Sequence, residues 1–110
     1  LVEREGIYYK KFTEVPFTGK VTGIVESTLI NGKWHGSWVT YWSNGQVLAK
    51  GNFKNRKKEG PWVYYWGDGQ LERKGDYKND EREGSWVTYN KDGTVNEFYT
   101  GTYKNGVKVD

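Results

Sequence analysis

The chain has 110 residues, no cysteine and a formal net charge of +3, and aromatic residues make up 17% of it. Without cysteine it forms neither a disulfide framework nor a thiolate metal site, and it has no run of about 18 apolar residues that would span a membrane. The ring content sets it apart from disordered chains of similar charge, because aromatic side chains are the ones that bury surface.

The first third of the chain predicts short, irregular strand units. GIYYKKF at 6–12 indicates an opening strand, and EVPF at 14–17 a turn. In LINGKWHG, residues 29–36, Asn31 occupies the position that Asn55 and Asn79 hold in later units. We predict that residues 1–35 form atypical N-terminal units, because the end of a repeat array must be capped.

From Gly36 onward the sequence repeats. Gly36, Gly60 and Gly84 are 24 residues apart, and the segments 36–59 and 60–83 are identical at 12 of 24 positions. The third copy, 84–110, keeps the frame but has two extra residues before Gly101. We predict three repeats, 36–59, 60–83 and 84–110, within one domain that spans residues 1–110.

Each repeat predicts a β-hairpin. Its first strand has the pattern Trp-Val-x-Tyr, a turn dipeptide follows, and the return strand carries a glycine and a ring. The tryptophans are Trp38, Trp62 and Trp86; the tyrosines are Tyr41, Tyr65 and Tyr89; the turns are Asn44-Gly45, Asp68-Gly69 and Asp92-Gly93.

The turn dipeptides favour two-residue type I′ turns, which place both central residues at positive φ. This geometry predicts that Trp42 faces Val47 and that Trp66 faces Leu71. It also predicts three pairs farther from the turns: Thr40 with Ala49, Trp38 with Gly51, and Trp62 with Gly75. An indole opposite a glycine would lie over bare backbone and offset the cost of a glycine inside a strand.

The sequence therefore predicts an all-β fold. We expect an antiparallel β-meander of tandem 24-residue hairpins that forms an elongated, twisted, single-layer sheet of eight to ten strands. Alternation divides the side chains of the first hairpin between two faces. The predicted core face carries Trp38, Trp42, Val47, Gly51 and Phe53; the more polar face carries Val39, Tyr41, Leu48 and Lys50.

The unit G-x-W-x-x-Y-x-x-[ND]-G, followed by a strand with glycine and a ring, resembles the MORN repeat. It is most similar to the bacterial variant found in proteins described as antitoxins of toxin–antitoxin pairs, and PFTGKVTG at 16–23 resembles the segment that leads into that variant. The resemblance covers residues 4–110. It implies a non-catalytic repeat that contacts proteins and, in some members, phospholipid.

The rings are the candidate binding residues. Trp38, Trp62 and Trp86 either form the core of the sheet or stack on a ligand, and we favour the core. Tyr41, Tyr65 and Tyr89 lie on the opposite predicted face, where a partner would meet them.

No catalytic or metal-binding set is visible, and we expect no enzyme activity, no cofactor and no metal. His35 is the single histidine, and a zinc site needs three or four ligands. The carboxylates are scattered and partly occupy turn positions. The basic cluster Arg56, Lys57 and Lys58 has an acidic counterpart in the next repeat, NDERE, which argues against a nucleic-acid groove.

Two functional hypotheses follow. The first is a non-enzymatic protein–protein interaction module, antitoxin-like or associated with the cell envelope. The second is a module that binds a carbohydrate, a choline-like headgroup or anionic phospholipid through the Trp/Tyr face, with a membrane surface as partner. Dimerisation through a sheet face is a further option. Composition leaves the compartment open: bacterial cytoplasm, or periplasm and cell envelope if a leader preceded residue 1.

Overall fold

The strands follow one another along a single ribbon, as the repeat predicts. The computed structural model describes residues 2–9, 19–21 and 25–110. Within these residues a two-stranded sheet precedes a nine-stranded antiparallel sheet in which each strand lies beside the next one in the chain. The predicted all-β meander is confirmed, and no helix capable of crossing a membrane occurs in the described ranges.

The small sheet consists of β1 (Val2–Arg4) and β2 (Ile7–Tyr9). The part of the chain that the structure describes extends over 48 × 33 × 18 Å. The predicted turn at 14–17 and the end of the predicted opening strand lie outside the described residues. The strands of the large sheet are β3 (Gly19–Val21), β4 (Val25–Ile30), β5 (Lys33–Tyr41), β6 (Val47–Lys54), β7 (Lys57–Tyr65), β8 (Leu71–Lys78), β9 (Glu81–Thr88), β10 (Gly101–Lys104) and β11 (Val107–Lys108).

The turns at Asn44-Gly45 and its two equivalents are three-residue loops, so the predicted type I′ geometry was wrong there. Of each dipeptide only the glycine has positive φ, 86° at Gly45 and 90° at Gly69. Gly45 N–H donates to Trp42 O, and Trp42 N–H donates to Gln46 O. Asn44 Oδ1 accepts from Gln46 N–H at 3.0 Å. A type I turn followed by a left-handed glycine suits Asn-Gly as well as type I′ does, so the dipeptide alone does not separate them.

The longer loop changes the pairing beside the turn and leaves the rest intact. Trp42 is bonded to Gln46, so the predicted pairings of Trp42 with Val47 and Trp66 with Leu71 were wrong. One extra residue, Leu48, then restores the predicted register. The Leu48 side chain packs against the core, so its predicted position on the more polar face was wrong. The predicted pairs Thr40–Ala49, Trp38–Gly51 and Trp62–Gly75 are confirmed.

Type I′ turns are present at the other ends of the strands, where one repeat joins the next. Asn55 and Arg56 have φ of 51° and 69°, and Asn79 and Asp80 have 51° and 70°. Asparagine is enriched in this left-handed region, which costs other side chains about 1 kcal/mol or more. These turns also join the repeats: Asp80 N–H donates to Lys58 O, and Asn79 N–H donates to Glu59 Oε2 at 2.8 Å.

We expect Asn79→Ala to destabilise the fold by about 1 kcal/mol, because alanine tolerates a left-handed φ less well than asparagine does. The free energy of unfolding in urea, followed by tryptophan fluorescence, measures the effect. Asn79→Gly is the matched control, since glycine accepts the same backbone angle. Equal losses in the two variants would show that the backbone angle is not the cause.

The glycine that opens each repeat creates a bulge. Gly60 has a φ of 74°, and residues 60–62 of β7 together face a single residue of β6, Gly51. The same arrangement recurs where β9 faces Gly75. The bulge brings the Trp62 indole over Gly51: an added Cβ there would lie 2.1 Å from Trp62 Cδ2. Indoles therefore cover glycines as predicted, but the indole comes from the following strand and not from the paired residue Trp38.

Candidate interaction surface

One face of the sheet is closed by its own rings, and we call it the aromatic face. Trp62 and Trp86 are 1% and 2% exposed. Successive rings meet edge to face: Phe53 and Trp62 at 5.2 Å between centroids, and Tyr77 and Trp86 at 5.0 Å. Edge-to-face contact is the preferred geometry of aromatic pairs. The members of this face are Trp38, Phe53, Trp62, Tyr64, Tyr77, Trp86 and Tyr103.

Among the described residues, three cationic side chains lie over these rings. The Arg73 guanidinium carbon is 4.0 Å from the Tyr64 ring centre, and that of Arg82 is 4.6 Å from the Trp86 ring. Lys58 Nζ lies 5.0 Å from the Tyr77 ring. The stems of these residues cover apolar surface while the charges interact with the ring faces. A single-layer sheet thus obtains a cover for its core without a second layer.

The predicted site tryptophans all belong to the aromatic face. Trp62 and Trp86 are buried, and their Nε1–H groups donate to Asn52 O and Asp76 O at 3.0 and 2.9 Å. Trp38 is half-buried and lies 5.6 Å from Trp62 between ring centroids. A direct role in binding stays a prediction for these residues, whereas their contribution to the core is visible.

The opposite face is more open, since none of the described side chains on it is fully buried, and we call it the valine face. Val39, Val63 and Val87 form a row across the sheet, with Lys50 and Lys74 between them. Strand alternation places Val63 opposite the buried Trp62 and Tyr64. The valines are half-buried and the lysines exposed. This row is regular because it inherits the 24-residue repeat of the sequence.

A shallow groove of about 460 Å³ lies on the valine face between β7, β8 and β9. Its walls include Pro61, Val63, Ser85 and Val87, and its floor includes the backbone of Gly75. The groove is mostly apolar because glycine exposes no side chain there and the neighbouring strands contribute valine. Lys74 and Asp76 also line it and contribute one charge of each sign.

The predicted site tyrosines lie at the ends of the strands that carry the valines. Strand alternation places Tyr41 and Tyr65 on the valine face, and both are half-buried. Tyr41 donates a hydrogen bond to Glu26 Oε1 at 2.5 Å. Tyr89 ends the row beyond β9, where it lines a separate cavity with Arg73 and Thr88. The structure therefore groups Tyr41 and Tyr65 with the valines, and Tyr89 less closely.

The hydrogen bond to Glu26, and after it partial burial and the charge of Glu26, raises the pKa of Tyr41 above its ordinary value of 10.0. The folded state favours the neutral phenol. Its contribution to stability is therefore fully present below the unfolded pKa of about 10 and is lost as the pH rises through the higher folded pKa. We expect Glu26→Gln to lower the pKa of Tyr41, as measured by ultraviolet phenolate absorbance.

Tyr41→Phe serves to identify the Tyr41 contribution in that titration. The difference between its absorbance curve and that of the parent protein isolates one phenol. If the curve of Glu26→Gln coincides with that of the parent protein, the Tyr41–Glu26 hydrogen bond does not control this pKa.

The structure places His35 on β5, exposed and paired with Thr28. Among the described residues no group of three or more His, Cys, Asp or Glu side chains is placed to hold a metal ion. Asp68 and Asp92 stabilise their turns. Their Oδ1 atoms accept hydrogen bonds from Gln70 N–H and Thr94 N–H, each at 2.9 Å.

Two features escaped the sequence analysis. Two of the cations over the rings, Lys58 and Arg82, are 24 residues apart, so periodicity could have indicated them, whereas Arg73 has no cationic equivalent in the neighbouring repeats. The second is the segment that holds the two extra residues of the third copy. In this segment Phe98 and Tyr99 are 76% and 50% exposed. The sequence could not predict this, because an insertion without a counterpart in the other repeats does not show which side of the sheet it lies on.

Comparison with known families gives one result. The family described as MORN repeat variant matches residues 34–55 and 58–79 as two adjacent repeats. Those ranges span β5 and β6, then β7 and β8, except for the first residue of β5 and of β7. MORN repeats are generally non-catalytic modules for interaction with proteins or membranes. Neither the curated proteins nor the solved structures include a significant match to the chain.

Proposed function

Because residues 34–55 and 58–79 match the MORN repeat variant as two adjacent repeats, we propose that this chain is a non-catalytic binding module whose valine face binds a partner protein. The observation that carries the proposal is the contrast between the two faces. One is covered by its own rings and cations, and the other presents a row of half-buried valines and exposed lysines.

The chemistry of the valine face suits a protein partner. Apolar side chains of a partner would lie in the groove beside Val63 and Val87. A partner carboxylate would meet Lys74, and a partner cation would meet Asp76. Tyr41 and Tyr65 supply large rings with a polar end, and tyrosine is enriched at interface hot spots. An antitoxin-like role is one form of this proposal, in which the partner is a toxin protein.

Sugars, choline-like headgroups and anionic phospholipid remain the alternative ligands, through the tryptophans or the tyrosines. The burial of Trp62 and Trp86 favours a protein partner over these, because a stacked ligand would have to displace Lys58 or Arg82 from the rings. A tryptophan fluorescence titration with choline, glycans and anionic vesicles tests the alternative, which requires a saturable change.

Affinity capture from the source cell, followed by binding measurements with the purified partner, tests the proposal. We expect Val63→Glu, and Tyr65→Ala to a smaller extent, to weaken binding at least about tenfold without unfolding the chain. Val107→Glu makes the same change at an exposed site on β11 and should bind normally. Equal binding by Val63→Glu and the parent protein contradicts the proposal, and sedimentation shows whether the partner is a second copy.

A further inference from the structure

A second cavity shares no lining residue with the valine-face groove. It has a volume of about 520 Å³ and lies among the ends of β7, β8 and β9 and the segment that follows β9. Small-molecule sites commonly measure roughly 300–1,000 Å³. The lining residues that matter here are Trp66, Arg73, Arg82, Thr88, Lys91 and Tyr99.

Buried hydrogen-bonding atoms without partners are concentrated in this lining. Trp66 Nε1, Arg73 Nε and Thr88 Oγ1 are buried and have no hydrogen-bond partner among the described residues. Thr88 as a whole is 8% exposed. A buried group without a partner costs about 1–3 kcal/mol, so three of them around one cavity point to a ligand that accepts hydrogen bonds.

The charges of the lining select an anion. Arg73, Arg82 and Lys91 contribute three positive charges and Glu72 one negative charge. Glu72 Oε1 already binds Arg73 Nη1 at 2.6 Å, which occupies that nitrogen and leaves the Nε edge of the guanidinium unpaired. The side edge of arginine binds a carboxylate through two parallel hydrogen bonds. The nearby Glu72 charge disfavours a dianion more than a monoanion.

Aromatic rings supply an apolar wall. Tyr99 is 50% exposed and lines the cavity, and Lys91 Nζ lies 6.0 Å from the centre of the Trp66 ring. A flat organic group would pack against these rings, and its carboxylate would reach the unpaired donors. The extra residues of the third repeat place Tyr99 here, so the site would be specific to this end of the array.

We propose that this cavity binds a small aromatic or flat carboxylic acid as a monoanion. Its carboxylate accepts hydrogen bonds from Arg73 Nε–H, the Thr88 hydroxyl and Trp66 Nε1–H, and its apolar part lies against Trp66 and Tyr99. The site is independent of the valine face, so it does not rest on the proposed protein partner.

The test follows the indole N–H signal of Trp66 by heteronuclear NMR while sodium benzoate is added at constant ionic strength. We expect a saturable shift of this signal. Benzamide has nearly the same shape without the charge and should leave it unchanged. Phenyl phosphate should bind more weakly than benzoate. A Trp66→Phe sample identifies the signal.

Two variants are matched by charge. Lys91→Gln removes a cation from the cavity, and Lys74→Gln removes one from the valine face. We expect Lys91→Gln to weaken benzoate binding and Lys74→Gln to leave it unchanged. Thr88→Val keeps the side-chain shape and should weaken binding about tenfold, the loss of one hydrogen bond to a charged group. The proposal is overturned by an absent or unsaturable shift, an equal response to benzamide, tighter binding of phenyl phosphate, or unchanged binding in both Lys91→Gln and Thr88→Val.

Discussion

Gly51→Ala is expected to destabilise the fold by about 3 kcal/mol, near the upper end of the range for overpacked cores. The added methyl carbon would lie 2.1 Å from Trp62 Cδ2 and 2.2 Å from Cε2, well inside contact distance. The indole has little room to move, since Trp62 is 1% exposed and its Nε1–H is bonded to Asn52 O. Urea unfolding followed by circular dichroism measures the change.

Gly67→Ala is the matched control for that variant. Gly67 lies in the turn region of the second repeat, and an added Cβ would find its nearest atom, Trp42 Cδ2, at an ordinary 3.9 Å. We expect no loss there, and a gain of up to about 0.5 kcal/mol from the less flexible unfolded chain. If Gly51→Ala lowered the free energy of unfolding no more than Gly67→Ala does, the indole would not cover Gly51.

Trp62→Ala is expected to cost about 4 kcal/mol, which is a large part of the 5–15 kcal/mol typical of a small domain. Trp62 contacts the rings of Trp38, Phe53 and Tyr77, at 5.6, 5.2 and 6.0 Å between centroids. Its loss opens a cavity at the centre of the aromatic face. The free energy of unfolding in urea is the quantity to compare, with Trp42→Ala, a half-buried indole, as the milder reference.

The effects of Gly51→Ala and Trp62→Ala on stability should be strongly coupled. In the Trp62→Ala background the ring that collides with the new methyl group is gone, so Gly51→Ala should cost much less than it does alone. Residues in contact show interaction energies of about 0.5–3 kcal/mol in such cycles. Additive losses would mean that Gly51→Ala acts on the backbone of β6 and not through the indole.

Much of the fold follows from the sequence because its signals are repeated. The Trp-Val-x-Tyr strands, the 24-residue interval and the parity of the return glycine together fix the meander and the central register, including Trp38 with Gly51. The turn types did not follow. Asn44-Gly45 is compatible with two loop geometries. One of them is stabilised by the hydrogen bond that Gln46 N–H donates to Asn44 Oδ1, which the sequence does not show.

The candidate surfaces were less predictable than the fold. The bulge at Gly60 transfers the indole of Trp62 from its paired glycine, Gly75, to Gly51 of the preceding strand, which alternation alone does not show. The row of Val39, Val63 and Val87 was visible in the repeat, but the sequence does not show that these valines stay half-buried while Lys58 and Arg82 lie over the rings of the other face. The cavity beside Thr88 depends on Tyr99, whose position follows from an insertion with no counterpart in the other repeats.

Both face assignments depend on indoles that lie over glycines. The chemical shifts of the Gly51 and Gly75 α-protons measure this directly, because a proton above a ring face is shielded by the ring current. We expect both glycines to resonate well upfield of ordinary strand glycines, and each shift to disappear with its own tryptophan, in Trp62→Ala for Gly51 and in Trp86→Ala for Gly75. Ordinary shifts for both glycines in the parent protein would contradict the closed aromatic face, and with it the assignment of the valine face as the one left to bind.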